Sequence, residues 1–400
     1  MNESQILAVQ HAVTEQGLSG VGETELLETF CRHCNEFGLQ VDEAILYVDT
    51  LSPALEAWGF HWDAKNDVAI AQQYPRSDAA LNADSWRLSP FYHMLEIGSK
   101  ELYVSLVEDP SEAFPILNEL RKSGQTGYFA LIHPLGKTDV IGEMDSMYSR
   151  WTTGKPGGFS LEDLGLLRST VSLSALATKA ASLRRIAQSL VSVYLGRDPG
   201  KRVLEGRIAR GKVESITTVL WYSDMANFTS LSEQIGSAEL ISLLDDYAEA
   251  VILSVSEFGG DVLKLVGDGV LAIFNATALE LAAISALDAR AALLRRLERL
   301  TADRAANGEK TTSIYMALHV GEVYYGNIGS DERLDFTVIG PAVNEVCRIA
   351  SASRKLGHSL LVSNEFLDLI SSERNKMFRD SGLHQLKGVH EPKRLFFAQS

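Results

Sequence analysis

Residues 263–274 read Leu-Lys-Leu-Val-Gly-Asp-Gly-Val-Leu-Ala-Ile-Phe. Two short apolar runs on either side of Gly267-Asp268-Gly269 predict a β-hairpin. An Asp at the tip follows ordinary turn chemistry, because its side chain bonds nearby backbone N–H groups. Lys264 is less ordinary. Its neighbours Leu263, Leu265 and Val266 predict a mostly covered strand, where an ammonium needs a partner or a ligand. Taken alone, the stretch is a surface hairpin with one lysine reaching for water.

The chain around it is long enough for two domains, at 400 residues. With 46% hydrophobic and 22% charged residues, it has ample apolar material for two cores. A net charge of -15 argues against a nucleic-acid surface and against anionic membranes, while leaving room for a local basic site for a small anion. No apolar run approaches a membrane span, and Met1–Ser19 lacks the charged-then-apolar order of a signal peptide. A cytoplasmic chain is expected. Three cysteines fit a reducing compartment and give no disulfide framework.

Residues 1–160 form the first expected domain. A helix is predicted over Thr24–Phe37, ending at Gly38, and it carries Cys31 and Cys34. One Cys-x-x-Cys pair is either redox-active or half a zinc site, and its helical pattern favours a structural role over both. Strands are predicted at 43–48, 103–107, 127–135 and 149–153, with short helical pieces between them. Pro156–Ser160 is a turn, and Ser160 with Glu162 and Asp163 starts a helix. This layout, with its Gly-Phe-Ser-x-Glu-Asp-Leu exit, resembles the GAF class of small-molecule sensor modules. The resemblance implies room for a small-molecule ligand, which Trp58, Trp62, Trp86 and Trp151 would line unless they simply fill the core.

Residues 161–212 are expected to connect the domains. Leu173, Ala180, Ala187 and Tyr194 alternate with Leu176, Leu183 and Leu190 at heptad spacing. That seam suits either packing on its own domain or a parallel helix pair. Gly196–Gly200 breaks the helix, and Arg197, Lys201, Arg202, Arg207, Arg210 and Lys212 make a basic connecting segment.

Residues 213–400 form the second expected domain. Ser215–Tyr222 is a strand that runs into Asp224, just before a helix opening at Met225–Leu231. A helix N-terminus suits phosphate oxygens, and a carboxylate beside it makes sense where a divalent cation bridges the two. Helix capping explains the same Asp equally well. A helix over 238–258, the hairpin, a helix over 278–305 and a strand over 313–320 follow. A turn at Gly321-Glu322-Val323 then leads to a further strand over 324–329. The order β-α-α-β-β-α-β-β is a split β-α-β, ferredoxin-like pattern, giving an α+β fold with Asp224 and Asp268 side by side at one sheet end. Two such carboxylates suggest a two-metal phosphoryl-transfer site. Further on, Pro341 opens a helix that carries Asn344 and Arg348 on one face, which suits reading a ribose and a phosphate but alone is an ordinary surface pair.

Ser223–Thr229, Lys264–Asp268 and Thr337–Gly340 through Asn344 and Arg348 together resemble the catalytic domain of class III nucleotide cyclases. The likeness runs from about Thr217 to Phe397. It implies that Asp224 and Asp268, with the backbone carbonyl of Met225, hold two magnesium or manganese ions. Lys264 and Thr337 resemble the pair that reads adenine, which favours ATP over GTP as substrate. Asn344 resembles the ribose-orienting asparagine and Arg348 the transition-state arginine. Phe228, Thr229 and Lys387 resemble substrate-contacting positions. By the same resemblance the metal aspartates and the other residues come from two chains, so a homodimer is implied. Asn227 departs from the family, which usually has Gly there; Asn tolerates unusual backbone angles better than most residues. A guanylyl cyclase and a non-catalytic nucleotide-binding module remain as alternatives. Gly259-Gly260-Asp261, which superficially suggests a diguanylate cyclase, precedes the strand instead of forming the hairpin turn.

Overall fold

The computed structural model describes residues 3–76, 79–107, 114–136 and 145–399. It divides into two compact units, 1–190 and 191–400.

The first unit begins with helices α1 (Glu3–Ser19) and α2 (Glu23–Glu36) and strands β1 (Glu43–Asp49), β2 (Leu55–Asp63) and β3 (Val68–Pro75). Then come α3 (Ala79–Arg87), α4 (Pro90–Glu96), β4 (Glu101–Ser105), α5 (Pro115–Lys122), β5 (Gly127–Pro134), β6 (Ser146–Thr153) and α6 (Leu161–Leu195). Its six strands lie in the order β3-β2-β1-β6-β5-β4, all neighbours antiparallel. Alternation along β5 and β6 sends Phe129, Leu131, Met147 and Trp151 to one face and Tyr128, Ala130 and Tyr148 to the other. The first set packs with residues of α1, α2 and α6, the second with residues of α4 and α5.

Sequence pattern missed the β2–β3 hairpin. Strand β3 is a mostly exposed edge, so it shows no buried alternation to read. Cys31 and Cys34 are fully buried core residues, and burial raises both thiol pKa values, which makes them inert. Three of the four tryptophans are core, the alternative to lining a pocket. Trp62 and Trp151 are buried in the helix-side core, and Trp58 packs there beneath the Arg185 guanidinium, 4.7 Å from its ring centroid. Of the four, only Trp86 faces a cavity.

On α6 the expected seam is divided. Leu173, Leu183 and Leu190 are partly buried against the unit's core, whereas Leu176 and Tyr194 are exposed. The helix ends at Gly196, whose φ of 92° only glycine adopts easily.

The second unit contains α7 (Arg197–Leu204), β7 (Val213–Met225), α8 (Phe228–Gln234), α9 (Ser237–Glu257), β8 (Asp261–Val266), β9 (Gly269–Phe274) and α10 (Leu279–Ala306). It continues with β10 (Ile314–Gly329), β11 (Leu334–Ile339), α11 (Pro341–Leu356), β12 (Leu360–Ser363), α12 (Asn364–Leu367), α13 (Ser372–Asn375), β13 (Phe378–His384) and β14 (Lys393–Ala398). The sheet order is β13-β14-β12-β10-β7-β9-β8, with β11 paired to β10 off that path. The basic connecting segment is folded, not a free linker. Arg202 bonds Asp198 at 2.7 Å and Glu214 at 2.9 Å and lies over the Tyr325 ring, while the Tyr325 hydroxyl donates to Asp198 at 2.8 Å.

Strand β10 overturns the expected turn at 321–323. It runs unbroken for 16 residues and pairs with β7 from Ile314↔Met225 to Gly326↔Val213. Gly321 serves packing instead: a Cβ there would sit 2.5 Å from the Ala342 Cβ on α11. A backbone without a side chain is what lets α11 lie close on the sheet. Gly321→Ala is therefore expected to destabilise the chain by about 1–3 kcal/mol, read as a lower Tm in calorimetry. Ala342→Gly in the same chain should recover part of that loss; a Gly321→Ala protein with unchanged Tm would remove this role.

Candidate active site

The register of three strands sets the site. Strand β9 pairs with β7 so that Val270 faces Ser223, and β8 closes on β9 at Val266↔Gly269. The connection is thus a two-residue turn of Gly267 and Asp268. Gly267 has φ +63°, the conformation glycine supplies at the first position of a type II′ hairpin turn. One strand over, Asp224 is the penultimate residue of β7. The two carboxylates therefore meet at one end of the sheet, lining a cavity of about 200 Å³ with Ser223, Met225, Tyr247 and Gly269.

Asp224 is half-buried and hydrogen-bonds Asp268, and its pKa is pushed up to about 6. Burial is the main cause and the neighbouring Asp268 carboxyl the next. Arg354, in the last turn of α11, pairs with Asp224 and opposes the shift without cancelling it. The backbone N–H of buried Met225 donates to Asp268 Oδ2 at 3.2 Å. Tyr222 stands behind the pair, and burial, followed by the Asp224 charge, pushes its hydroxyl to about 12. Two hard oxygen donors crowded enough to retain a proton are the chemistry a divalent cation relieves, so Asp224 and Asp268 fit such an ion. Among the described residues no group of three or more His, Cys, Asp or Glu gathers.

After this pair comes Asn227, with φ +56° in the left-handed region, just before the short helix α8 and its Phe228 and Thr229. The Asn in place of Gly holds the glycine-like conformation there, at a cost that Asn bears more readily than most residues.

The hairpin lysine is not covered. Strand β8 is the sheet edge, and Lys264 is 47% exposed, as are Leu265 and Val266 at 53% and 49%. Its partner is the Asp335 carboxylate on β11. Asp335 lies two residues before Thr337, hence on the same face of β11. Lys264 is thereby carried to the strand that bears Thr337, itself 9% exposed. Sequence reasoning missed Asp335 and Arg354. Each is 71 and 130 residues from its partner, and nothing local marks either one.

Asn344 and Arg348 are both exposed on α11, one turn apart. Their helix is anchored from its other side. Glu345 accepts from buried His319 at 3.1 Å and from Lys393 at 2.9 Å, and His319 Nδ1 lies 2.8 Å from Ser363 Oγ. The His319 hydrogen bond, then Lys393, draws the Glu345 carboxyl down to about 2. Lys387 is exposed beside buried Leu386, and no contact ties it to the aspartates.

Residues 210–399 match the family model described as the adenylate and guanylate cyclase catalytic domain. An adenylate cyclase of Anabaena cylindrica is 27% identical over 161 residues, covering 40% of this chain and 32% of that protein. Adenylate cyclase 1 of Rhizobium meliloti is 28% identical over 143 residues, covering 36% of this chain and 22% of that protein. The chain thus spans about a third or less of the length of these curated relatives. The crystal structure of the adenylyl cyclase CyaB from P. aeruginosa is 27% identical with a TM-score of 0.43, covering 47% of this chain and 96% of that one.

The raised Asp224 pKa has a sign that can be measured. The folded pair keeps a proton up to about pH 6, whereas an unfolded Asp releases it near 3.8. The group's contribution to stability is thus full at low pH and declines as pH rises from about 4 to 6. A cation must displace that proton, so Mn²⁺ affinity followed by calorimetry should rise about tenfold per pH unit below 6 and level off above it. Asp224→Asn should remove both the dependence and most of the affinity. A wild-type affinity that is flat from pH 5 to 7 would contradict the assignment.

Proposed function

We propose that the chain, whose residues 210–399 match the adenylate and guanylate cyclase catalytic domain, is an adenylate cyclase converting ATP to 3′,5′-cyclic AMP and pyrophosphate. The observation that carries this reading is the Asp224–Asp268 pair at one end of the β7–β9–β8 sheet, with Lys264 presented to the Thr337 strand by the same hairpin. In the reaction the ribose 3′-oxygen attacks the α-phosphorus, loses its proton, and displaces pyrophosphate. Asp224, Asp268 and the Met225 carbonyl would hold two Mg²⁺ or Mn²⁺ ions, which when bound lower the pKa of the attacking hydroxyl and neutralise triphosphate charge.

The chain's own residues supply position and charge. Asn344 orients the ribose. One turn on, Arg348 stabilises charge developing on the α-phosphate and the leaving oxygen, a contribution of roughly 3–4 kcal/mol. Phe228 and Thr229 line the approach after Asn227, and Lys387 meets the phosphates. The Lys264 ammonium donates to adenine N1, an acceptor, where guanine presents an N–H instead. Thr337 takes the neighbouring edge. Asp335 holds Lys264 in place until the base arrives, so its charge must be given up or shared on binding.

Two copies of the chain would complete each site, one supplying the aspartates and the other Lys264, Thr337, Asn344 and Arg348. The exposed Leu265 and Val266 at the sheet edge support that arrangement, because an apolar edge strand wants a cover. Exposed Leu176 and Tyr194 on α6 suit the same two-fold pairing. Control of the catalytic unit by the residues before it completes the proposal. The absence of any described helix long and apolar enough to cross a membrane is compatible with a cytoplasmic enzyme.

A second reading, guanylate cyclase, draws on Asp335, since a carboxylate can accept from guanine N1–H and its 2-amino group. Purified protein assayed with ATP and GTP at equal concentration separates the two. The adenine reading expects cyclic AMP as the main product and its loss in Asp268→Ala, with oligomeric state unchanged. Asp335→Asn should keep ATP as the preferred substrate and shift its KM within about tenfold; preferred turnover of GTP by the wild type, lost in Asp335→Asn, would favour the second reading. Arg348→Ala mixed with Asp224→Ala should regain activity that neither variant shows alone, and failure to complement would count against a shared site.

A further inference from the structure

The sheet of the first unit has one face that α4 and α5 only partly fill. Between it and residues of α3, α4 and α5 lies a cavity of about 850 Å³, of the size that takes a small organic ligand. Its wall is aromatic. Trp86 meets Tyr148 edge-on with centroids 5.1 Å apart, and Phe91 packs on both at 6.2 and 5.5 Å.

One charged side chain lies at the floor. Arg150 on β6 lines the cavity and is 9% exposed. Its Nη2 reaches Glu43 only at 3.4 Å, and its Nε is buried with no hydrogen-bond partner among the described residues. Ile45 separates it on the sheet from His61, whose Nε2 is likewise buried and unpartnered. Burial, then the Arg150 charge, lowers the His61 pKa to about 4, so the imidazole is neutral at pH 7. Burial also raises the pKa of Tyr74 and Tyr128, leaving both as neutral hydroxyls beside the guanidinium. The guanidinium is left with one buried N–H that has no acceptor among the described residues.

The far end of the cavity has the opposite character. Asp49 and Asp145 line it, and Glu56 and Glu119 also line the cavity. Five residues of strand put Asp145 about 16 Å from Arg150. Both charges, after burial, hold the Tyr148 hydroxyl at about 12. A ligand with several negative charges, such as a nucleoside triphosphate, would be repelled there, whereas a single anionic head can point inward to Arg150.

We infer that this cavity binds a planar aromatic monocarboxylate, its carboxylate on Arg150 and its ring against Trp86, Tyr74 and Tyr148. Guanidinium and carboxylate match in a planar, charge-assisted pair, and the flat walls accept a ring without reshaping. The site lies wholly within the first unit, so it does not depend on the reading of residues 210–399.

Calorimetric titration of the full chain with 2-naphthoate, and with its neutral isostere 2-naphthamide, tests the site without any enzyme assay. The carboxylate should bind saturably and the amide at least tenfold more weakly. Arg150→Met should weaken naphthoate tenfold or more and make the two probes equal. Ala83→Trp, which fills the cavity from an exterior helix, should abolish binding of both with Tm unchanged, and it carries the test if Arg150→Met does not fold. Three results would each overturn the site: no saturable naphthoate binding by folded wild type up to millimolar, equal affinity for the two probes, or binding indifferent to Ala83→Trp.

Discussion

The second unit depends on an electrostatic conflict that its sheet register enforces. Pairing of Ser223 with Val270, and closure of β8 on β9 in two residues, leaves Asp224 and Asp268 no room to separate. Two carboxylates at hydrogen-bond distance cannot both ionise freely, and half-burial adds to the cost. Arg354 offsets part of it from α11. The rest remains as a pKa near 6, a standing preference for a proton or a cation. A fold that merely needed stability would not keep that arrangement, since an amide in place of either Asp would relieve it.

The same hairpin also positions the other chemistry of the unit. Lys264 is four residues before Asp268 and reaches β11 through Asp335. Across the sheet, α11 carries Asn344, Arg348 and Arg354, and its seating rests on two features. Gly321 lets the helix approach, and the His319–Glu345–Lys393 chain ties its inner face to β10 and β14. Glu345 directly follows Asn344 in the helix, so the buried network holds the backbone next to the exposed face. Rigid support of this kind is what lets an exposed asparagine and arginine keep a useful orientation.

The first unit applies different physics. One face of its sheet is filled to core density by α1, α2 and α6, with Trp62, Trp151 and the two cysteines among the fill. The other face keeps a cavity whose floor holds an incompletely bonded guanidinium. Each unmade bond to a charge costs more than a neutral one; Arg290 and Arg304 also have a buried unpartnered nitrogen, but neither lines this cavity. The cavity, more than the unmade bond alone, is the ground for the ligand site inferred above.

Much of this was legible in the chain alone. The long helices α9 and α10, the hairpin, the strand before Asp224 and the helix opened by Pro341 all follow from local periodicity and turn chemistry, which act over a few residues. The candidates Asp224, Lys264, Asp268, Thr337, Asn344 and Arg348 came instead from three contiguous motifs that together resemble class III nucleotide cyclases. The β2–β3 hairpin was not legible, since an exposed edge strand has no buried stripe. Gly321 read as a turn because glycine's need for close helix packing looks the same in sequence as a need for positive φ. Only the tertiary structure decided that Lys264 stands on an exposed edge, that Asp335 and Arg354 are the partners of Lys264 and Asp224, and that of four tryptophans one faces a cavity. Those are pairings across 71 and 130 residues, or choices between two faces of one sheet, and they are fixed by register and packing.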